Sequence, residues 1–100
     1  MPYFIHTMYG MKTITWSQEK SERLRNDKTR NGIGFERCLI AIENGDILAI
    51  LDNPTRSNQR IYVIEIDDYA YVVPFVETDD ERFLKTIFPS RKYTALYLKG

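Results

Sequence analysis

Four basic residues in the second half of the sequence have side chains and positions that suit the binding of a phosphate group. They are Arg60, Lys85, Arg91 and Lys92. Arginine donates a planar fork of hydrogen bonds that matches phosphate oxygens, and lysine acts as a mobile point charge. On one straight strand Lys85 and Arg91 would lie about 20 Å apart, so the chain must turn near Pro89 for both to reach one phosphate. The pattern leaves open the alternative that these are solvated cations on a sheet edge.

Other kinds of site find little support in the sequence. His6 is the only histidine and Cys38 the only cysteine, so no catalytic triad is visible and the pair cannot build a histidine/cysteine zinc site. Gly32-Ile33-Gly34 lacks the strand–turn–helix context of a phosphate-binding loop. The acidic turn 77–81 could hold a hard cation, but it is more typical of a solvated hairpin tip. We predict no metal and no cofactor.

Charge is segregated along the chain although 14 basic and 14 acidic residues cancel overall. Residues 1–37 have a balance of +3, residues 38–81 of −8, and residues 82–100 of +5. The two ends could therefore meet in space as one positive surface, which would attract phosphates despite the zero net charge. Scattered solvated charge is the alternative.

The elements that must position these cations begin with a meander in the second half of the chain. The runs 60–66, 69–76 and 83–88 are rich in Val, Ile, Tyr and Phe, and two short acidic turns separate them. Such short connections permit only antiparallel neighbours. Pro74, inside the middle run, indicates an edge strand or a bulge.

Two helices and two further strands are predicted in the first half. Lys12 to Trp16 is a short strand, and a mostly exposed helix over 17–30 follows it, with Ser17 as its N-cap. A second helix over 35–44 has an apolar face formed by Phe35, Cys38, Leu39 and Ile42. Residues 47–51 form a buried strand, and residues 93–99 form a terminal helix that packs through Ala95, Leu96 and Leu98.

These elements predict an α+β fold, in which two consecutive N-terminal helices pack on one face of a small antiparallel sheet of four or five strands. The whole chain, 1–100, is one domain, although residues 1–10 are either a flexible leader or an extra strand, and Met11 looks like a natural start. The predicted buried core residues are Leu39, Ile42, Val63 or Ile64, Val72 and Ile87.

The sequence also bears on location. No apolar run has the length of a membrane span, and no signal peptide is legible. With a single cysteine, Cys38, the chain can form no internal disulfide, which fits a reducing compartment. We predict a cytoplasmic protein with no membrane contact, and a buried, unreactive Cys38.

Three segments of the chain are similar to the motifs of one known family. Trp16-Ser17-Gln18-Glu19-Lys20 is similar to a W-D-x-x-K opening, Gly32-Ile33-Gly34-Phe35-Glu36 to a G-I-x-F-E motif, and Lys85-Thr86-Ile87-Phe88-Pro89-Ser90-Arg91-Lys92 to a C-terminal I-I-S-A-R-K segment. In these motifs the chain resembles the BrnT toxins. The segments occur in the family's order over residues 13 to about 98. Ser17 stands where the family has an acid, and Arg30-Asn31 replaces its K-H pair.

The resemblance implies a RelE/BrnT-like fold and the toxin of a type II toxin–antitoxin pair that cleaves RNA without metal. It also implies a cognate antitoxin, often a ribbon–helix–helix protein, through which alone the pair would contact operator DNA. Of the residues that match, the resemblance implies catalytic roles for Arg60, Lys85, Arg91 and Lys92, and supporting roles for Trp16 and Lys20. Among the four we predict Arg91 to be the most important, because it lies at a chain turn after a strand and its planar fork suits the phosphorus transition state.

For RNA cleavage by 2′-OH attack on phosphorus, the residues suggest further roles. Arg60 and Arg91 would stabilise the phosphate, and Lys85 or Lys92 would act as general acid or base, with Glu36 and Glu65 as alternative bases. The predicted substrate-binding residues are Trp16, Lys20, Tyr62 and Ser90, and Tyr62 or Tyr71 would stack on a base. The rival hypothesis is a non-catalytic partner-binding module that acts through its segregated charge.

Overall fold

The computed structural model describes residues 2–6 and 12–99, with the backbone alone for residues 2–6. Within these residues the fold is α+β, with a small mixed sheet and three α-helices. The strands are β1 (Pro2–His6), β2 (Thr13–Ser17), β3 (Ile47–Asp52), β4 (Arg60–Ile66), β5 (Tyr69–Glu77), β6 (Glu81–Leu84) and β7 (Phe88–Pro89). The helices are α1 (Gln18–Arg25), α2 (Phe35–Glu43) and α3 (Arg91–Leu98), and a 3-10 turn spans Lys28–Arg30. The strand order is β1-β2-β6-β5-β4-β3, and β7 also pairs with β5.

Residues 2–6 form an extra strand, one of the two alternatives that the sequence left open. β1 pairs antiparallel with β2, and Tyr3 lies opposite Trp16. The suggested start at Met11 and the side chain of His6 lie outside the described residues.

The prediction of a wholly antiparallel sheet is wrong at one pairing. β2 runs parallel to β6, with Thr13 opposite Glu81 and Thr15 opposite Phe83. The meander itself is antiparallel, as its short turns require. β2 and β6, in contrast, are separated by most of the chain, so no turn length constrains their relative direction. This pairing brings the start of α1 close to the C-terminal part of the meander.

The first helix is shorter than the predicted span 17–30. Ser17 is the N-cap, and its side chain accepts a hydrogen bond from Lys20 N. α1 ends at Arg25, because the next turn is organised by a side chain. Asp27 Oδ1 accepts hydrogen bonds from both the backbone N and the hydroxyl of Thr29, at 2.9 and 2.6 Å. Such local bonds compete with helix propagation.

α2 confirms the predicted second helix, and its start packs closely against α1. The buried Ser21 hydroxyl accepts a hydrogen bond from Phe35 N at 2.9 Å and donates one to Glu36 Oε1 at 2.6 Å. A Cβ atom at Gly34 would lie 2.7 Å from Arg25 Cγ and 2.8 Å from Ser21 Oγ. Only glycine therefore allows this approach of the two helices.

The third strand of the meander, predicted over 83–88, is interrupted. Phe75 pairs with Leu84 and Val72 pairs with Phe88. Two residues of β5 thus face three residues, 85–87, which is a β-bulge. The bulge lies beside Pro74, whose carbonyl accepts a hydrogen bond from Lys85 N at 2.8 Å. Of the two interpretations of Pro74, the bulge is confirmed and the edge strand is wrong, because β5 lies inside the sheet.

Both faces of the sheet are covered. On one face Trp16, Leu39 and Ile42 belong to a buried cluster with α1, α2 and the inward side chains of β4 and β5. On the other, Val63 and Val72 belong to a smaller cluster that is covered by Tyr93 and Leu98 of α3. All predicted core residues are buried, as is Cys38, whose pKa burial raises well above its ordinary value.

The terminal helix is confirmed, but it packs differently from the prediction. α3 begins at Arg91, and its buried or half-buried residues are Tyr93, Thr94 and Leu98. Ala95 is exposed and Leu96 is 58 % exposed. Strand β3, predicted to be buried, lies at the sheet edge and is only partly covered.

Candidate functional site

A cavity of about 730 Å³ opens between the start of α1, the loop after β3, the bulge and the start of α3. Its lining residues are Lys20, Asn53, Pro54, Thr55, Arg56, Gln59, Ile61, Val72, Pro74, Lys85, Thr86, Phe88, Ser90, Lys92 and Tyr93. This set contains four cations and no carboxylate, so we call it the cationic cavity. Its floor is apolar, because Ile61, Val72 and Pro74 are buried. Charge at the rim and an apolar floor suit a ligand that has both an anionic and a flat apolar part.

Three lysines from distant parts of the sequence meet at the cationic cavity. Lys20 comes from the first turn of α1, Lys85 from the bulge and Lys92 from the first turn of α3. Burial lowers the pKa of Lys20, and the nearby charges of Lys85, Arg23 and Arg30 lower it further. The two basic ends of the chain therefore do meet at one surface, as the charge segregation predicted.

The bulge and the α3 N-cap hold two of these lysines in place. The backbone of Lys85 is tied to Pro74, so the bulge directs the Lys85 side chain outward while Ile87 is buried. Ser90 Oγ accepts a hydrogen bond from Tyr93 N at 3.0 Å, and Ser90 N donates one to Ala70 O at 2.9 Å. Ser90 thus positions Lys92 as well as lining the cavity.

The first turn of α3 contains Arg91 and Lys92 and no acidic residue. Cations at a helix N-terminus are destabilising, because they repel the positive end of the helix dipole. A bound anion would relieve that repulsion. The placement therefore favours a role for this turn in ligand binding over a purely structural one.

Two predicted catalytic arginines are not part of the cavity lining. Arg60 Nη1 lies 3.4 Å from Glu77 Oε1 and Arg60 Nε lies 4.0 Å from Asp52 Oδ1, so the side chain is engaged in ion pairs. Arg91 is exposed on the first turn of α3, outside the set of residues that face the cavity. Of the four, Lys85 and Lys92 alone are brought together at the cavity.

Two predicted substrate-binding aromatics lie in the core. Trp16 is 0 % exposed and packs on Phe35, with ring centroids 6.1 Å apart. Tyr62 is also 0 % exposed, and its hydroxyl accepts a hydrogen bond from Arg82 Nη1 at 2.7 Å. Tyr71 is 4 % exposed. Buried rings have no free face for a base, so we correct their assignment to core residues.

The sequence reasoning missed several cavity residues. Arg56, in the loop after β3, shows no pattern that marks it, and Phe88 and Tyr93 are predicted only as parts of a strand and a helix. Tyr93 and Tyr97 stand four residues apart in a predicted helix, a spacing that predicts contact between their rings. The rings are stacked, with centroids 5.9 Å apart.

The carboxylates suggested as bases do not line the cavity. Glu36 is hydrogen-bonded to Ser21 and paired with Arg25 at 3.1 Å. Burial alone would raise its pKa, but these hydrogen bonds and charges lower it below the ordinary value. Glu65 lies near Asp68 and Asp46, and burial and these neighbours raise its pKa.

Glu77, predicted to be part of a solvated hairpin tip, is instead the centre of an ion-pair cluster. Its Oε2 accepts hydrogen bonds from Lys12 Nζ at 2.7 Å and Arg82 Nε at 2.9 Å. The Lys12 hydrogen bond, followed by that from Arg82, lowers the pKa of Glu77 to about 2 against the opposing effect of burial. Asp79 and Asp80 in the same turn are exposed, as predicted.

We expect Glu77→Gln to lower the free energy of unfolding at pH 7 by about 1.5–3 kcal/mol, the contribution of hydrogen bonds to charged groups. Because the folded-state pKa is below the ordinary value of 4.5, this contribution is present above pH 4.5 and is lost as the pH falls toward 2. Urea denaturation at pH 7, 5 and 3 should show the wild type approaching the variant on acidification. Asp79→Asn, in the same turn, is the control and should change stability by less than about 0.5 kcal/mol. Parallel pH profiles of wild type and Glu77→Gln would contradict the role of this cluster.

No protein-family model, curated protein or solved structure matches this chain. The resemblance to BrnT toxins therefore stays a prediction from sequence motifs. No helix in the described part of the chain is long and apolar enough to cross a membrane. Among residues 12–99, whose side chains the structure describes, there is also no group of three or more histidine, cysteine or acidic side chains that could hold a metal ion.

Proposed function

We propose that this protein is the toxin of a type II toxin–antitoxin pair with a RelE/BrnT-like fold, and that it cleaves RNA in the cytoplasm without metal. One observation carries the proposal. Lys20, Lys85 and Lys92 converge on a cavity whose lining includes no carboxylate. Lys20 is the last residue of the first motif that resembles the toxin family. Lys85 and Lys92 are the first and last residues of the C-terminal motif.

In the proposed reaction the RNA 2′-oxygen attacks the neighbouring phosphorus and the bond from phosphorus to the 5′-oxygen breaks. The products are a 2′,3′-cyclic phosphate and a free 5′-hydroxyl. One proton must leave the 2′-hydroxyl and one must reach the 5′-oxygen. Negative charge develops on the non-bridging phosphate oxygens, so positioned cations accelerate the step.

The three lysines divide these tasks. Lys85 and Lys92 stabilise the charge on the phosphate oxygens. Lys20, with its lowered pKa, is the lysine best suited to take the 2′-proton in its neutral form, and a protonated lysine supplies the proton to the leaving oxygen. The sequence alone predicts Lys85 or Lys92 as general acid or base, and we propose Lys20 as the base in their place. Arg91, beside Lys92, serves a flanking phosphate, and Arg60 supports the sheet through its ion pairs.

The second candidate is a non-catalytic module that binds an anionic partner at the same surface. It is favoured by the composition of the cavity, whose lining residues include neither a histidine nor a carboxylate. Binding needs no proton acceptor, whereas cleavage requires a lysine to serve as one. Both candidates need the cationic cavity, but only the toxin hypothesis needs chemistry there.

Inducible expression and RNA cleavage distinguish the two candidates. We expect growth arrest on induction, and purified protein freed of antitoxin should cleave total RNA in the presence of EDTA. The fragments should end in a 2′,3′-cyclic phosphate and begin with a 5′-hydroxyl. Intact RNA after incubation with the folded wild type, both with and without ribosomes, would contradict the ribonuclease and favour the binding module.

The proposed partner is a cognate antitoxin that covers the positive surface formed by both ends of the chain. Co-expression with the neighbouring gene of the operon should yield a stable complex in which Lys85 and Lys92 are protected from acetylation. A complex that leaves both lysines reactive would contradict this mode of inhibition.

A further inference from the structure

A row of aromatic side chains leads from the cationic cavity along α3. Phe88 and Tyr93 line the cavity, and Tyr97 lies one turn further along the helix. The rings of Tyr93 and Tyr97 are 5.9 Å apart and inclined by 26°, which is a stacked arrangement. Lys92 Nζ lies 5.2 Å from the centroid of Tyr93. We call Phe88, Tyr93 and Tyr97 the aromatic row.

The outer rings of the row are accessible. Phe88 is 40 % and Tyr97 is 37 % exposed, whereas Trp16, Phe35, Tyr62 and Phe75 are fully buried. Among the described residues, the exposed large hydrophobic side chains are Ile40, Phe88, Leu96 and Tyr97, so most lie on β7 and α3. Among the described residues, apolar exposure is therefore concentrated on β7 and α3, which contribute Phe88 and Tyr93 to the cavity lining.

The segment of the chain that contains the row has charged side chains of one sign. Residues 82–100 include five basic residues and no acidic one. Accessible π-faces next to a cationic groove are the features by which proteins bind single-stranded nucleic acid, since bases stack on the rings while cations follow the backbone. In a duplex the bases are already stacked and offer no free face. The basic residues would repel a basic segment of a partner protein. An acidic segment could bind through charge alone, so the exposed rings would have no role in its binding.

We propose that a single-stranded RNA segment extends from the cationic cavity along α3, with one base on Phe88 and another on the exposed ring of Tyr97. This proposal rests on the proposed function, because it identifies how the same site takes its substrate. It adds single-strandedness as the property recognised and Tyr97 as a subsite outside the cavity. Tyr93, between Lys92 and Tyr97, holds the outer ring in place.

Fluorescence anisotropy with a labelled, fully 2′-O-methylated RNA octamer tests the proposal. This probe has no 2′-hydroxyl and cannot be cleaved by the proposed reaction, so binding is measured separately from chemistry. Tyr97→Ala should weaken single-strand binding by about 5- to 100-fold, the range expected for the loss of one base–aromatic stack. Tyr97→Phe, which keeps the ring, should bind within twofold of the wild type.

The matched control is Leu96→Ala, which removes a neighbouring side chain that is more exposed but has no ring. It should leave binding unchanged. The salt dependence of binding distinguishes the contribution of the aromatic row from that of the lysines. Lys85→Ala should reduce the magnitude of the slope of log K against log salt by about 1. Tyr97→Ala should reduce affinity without changing that slope.

Several results would overturn the proposal. Equal affinity of the wild type for the octamer and for its duplex would do so, as would unchanged binding by a folded Tyr97→Ala. If Tyr97→Ala binds the octamer as well as the wild type does, and the wild type still cleaves RNA, only the aromatic subsite is wrong. Absence of octamer binding by the wild type at low salt would overturn the subsite and the proposed function together. If Tyr97→Ala weakens only the capture of a protein partner, the row is a protein interface instead.

Discussion

Replacement of Lys85 by alanine is expected to lower the rate of RNA cleavage by about 100- to 1,000-fold, the usual effect of removing one donor that stabilises a developing oxyanion. The bulge opposite Pro74 sets the side chain at the cavity, where Lys20 and Lys92 also converge. Loss of Lys85 removes positive charge from the phosphate-binding position and one of the charges that lower the pKa of Lys20. Both changes oppose the proposed reaction, so growth arrest on induction should also be lost.

Arg91→Ala is the informative comparison, because the residue type and its position in the sequence predict Arg91 to be the most important catalytic residue. In the structure Arg91 is exposed and does not line the cavity, so its loss should reduce cleavage less than the loss of Lys85. Lys99→Ala removes the same charge from the exposed end of α3 and is the control for overall electrostatics. Single-turnover cleavage rates, with folding of each variant checked by circular dichroism, decide the ranking. A larger loss in Arg91→Ala than in Lys85→Ala would restore the ranking based on sequence.

Local patterns predicted the elements that frame the cavity. The spacing of Phe35, Leu39 and Ile42 predicted α2, and Ser17 predicted the start of α1, because periodicity and capping act over a few residues. The short turns predicted the antiparallel meander for the same reason. Pro74 indicated either an edge strand or a bulge, and the structure has the bulge.

Contacts between residues that are far apart in the sequence could not be predicted from these local patterns. The parallel pairing of β2 with β6 depends on how the whole sheet closes, and no local signal sets its direction. Arg60 and Glu77 are 17 residues apart in the sequence, but the register of β4 and β5 brings Arg60 Nη1 to 3.4 Å from Glu77 Oε1. The bulge also changes which side chains face the same way after Lys85, so regular strand alternation does not relate Lys85 to the residues that follow it.

Trp16 shows how one residue can fit a functional motif and still act through the fold. It belongs to the segment that resembles the opening of the toxin family, which suggested contact with substrate. In the structure it is completely buried on β2, where its indole Nε1 donates a hydrogen bond to Gln18 Oε1 at 3.3 Å. Trp16 lies two residues before α1, so its packing fixes the helix that presents Lys20 to the cavity.

We therefore expect Trp16→Ala to lower the free energy of unfolding by about 3–5 kcal/mol, as for other buried aromatic truncations. This is a large part of the roughly 5–15 kcal/mol that stabilises a typical domain. Trp16→Phe keeps an aromatic ring against Phe35, so it should lose clearly less stability and retain RNA cleavage. Urea denaturation followed by circular dichroism measures the first effect, and cleavage by the folded variants measures the second. Leu96→Ala, at an exposed position, is the control and should change stability by less than about 0.5 kcal/mol. An unchanged denaturation midpoint for Trp16→Ala, together with lost RNA binding, would return Trp16 to the substrate surface.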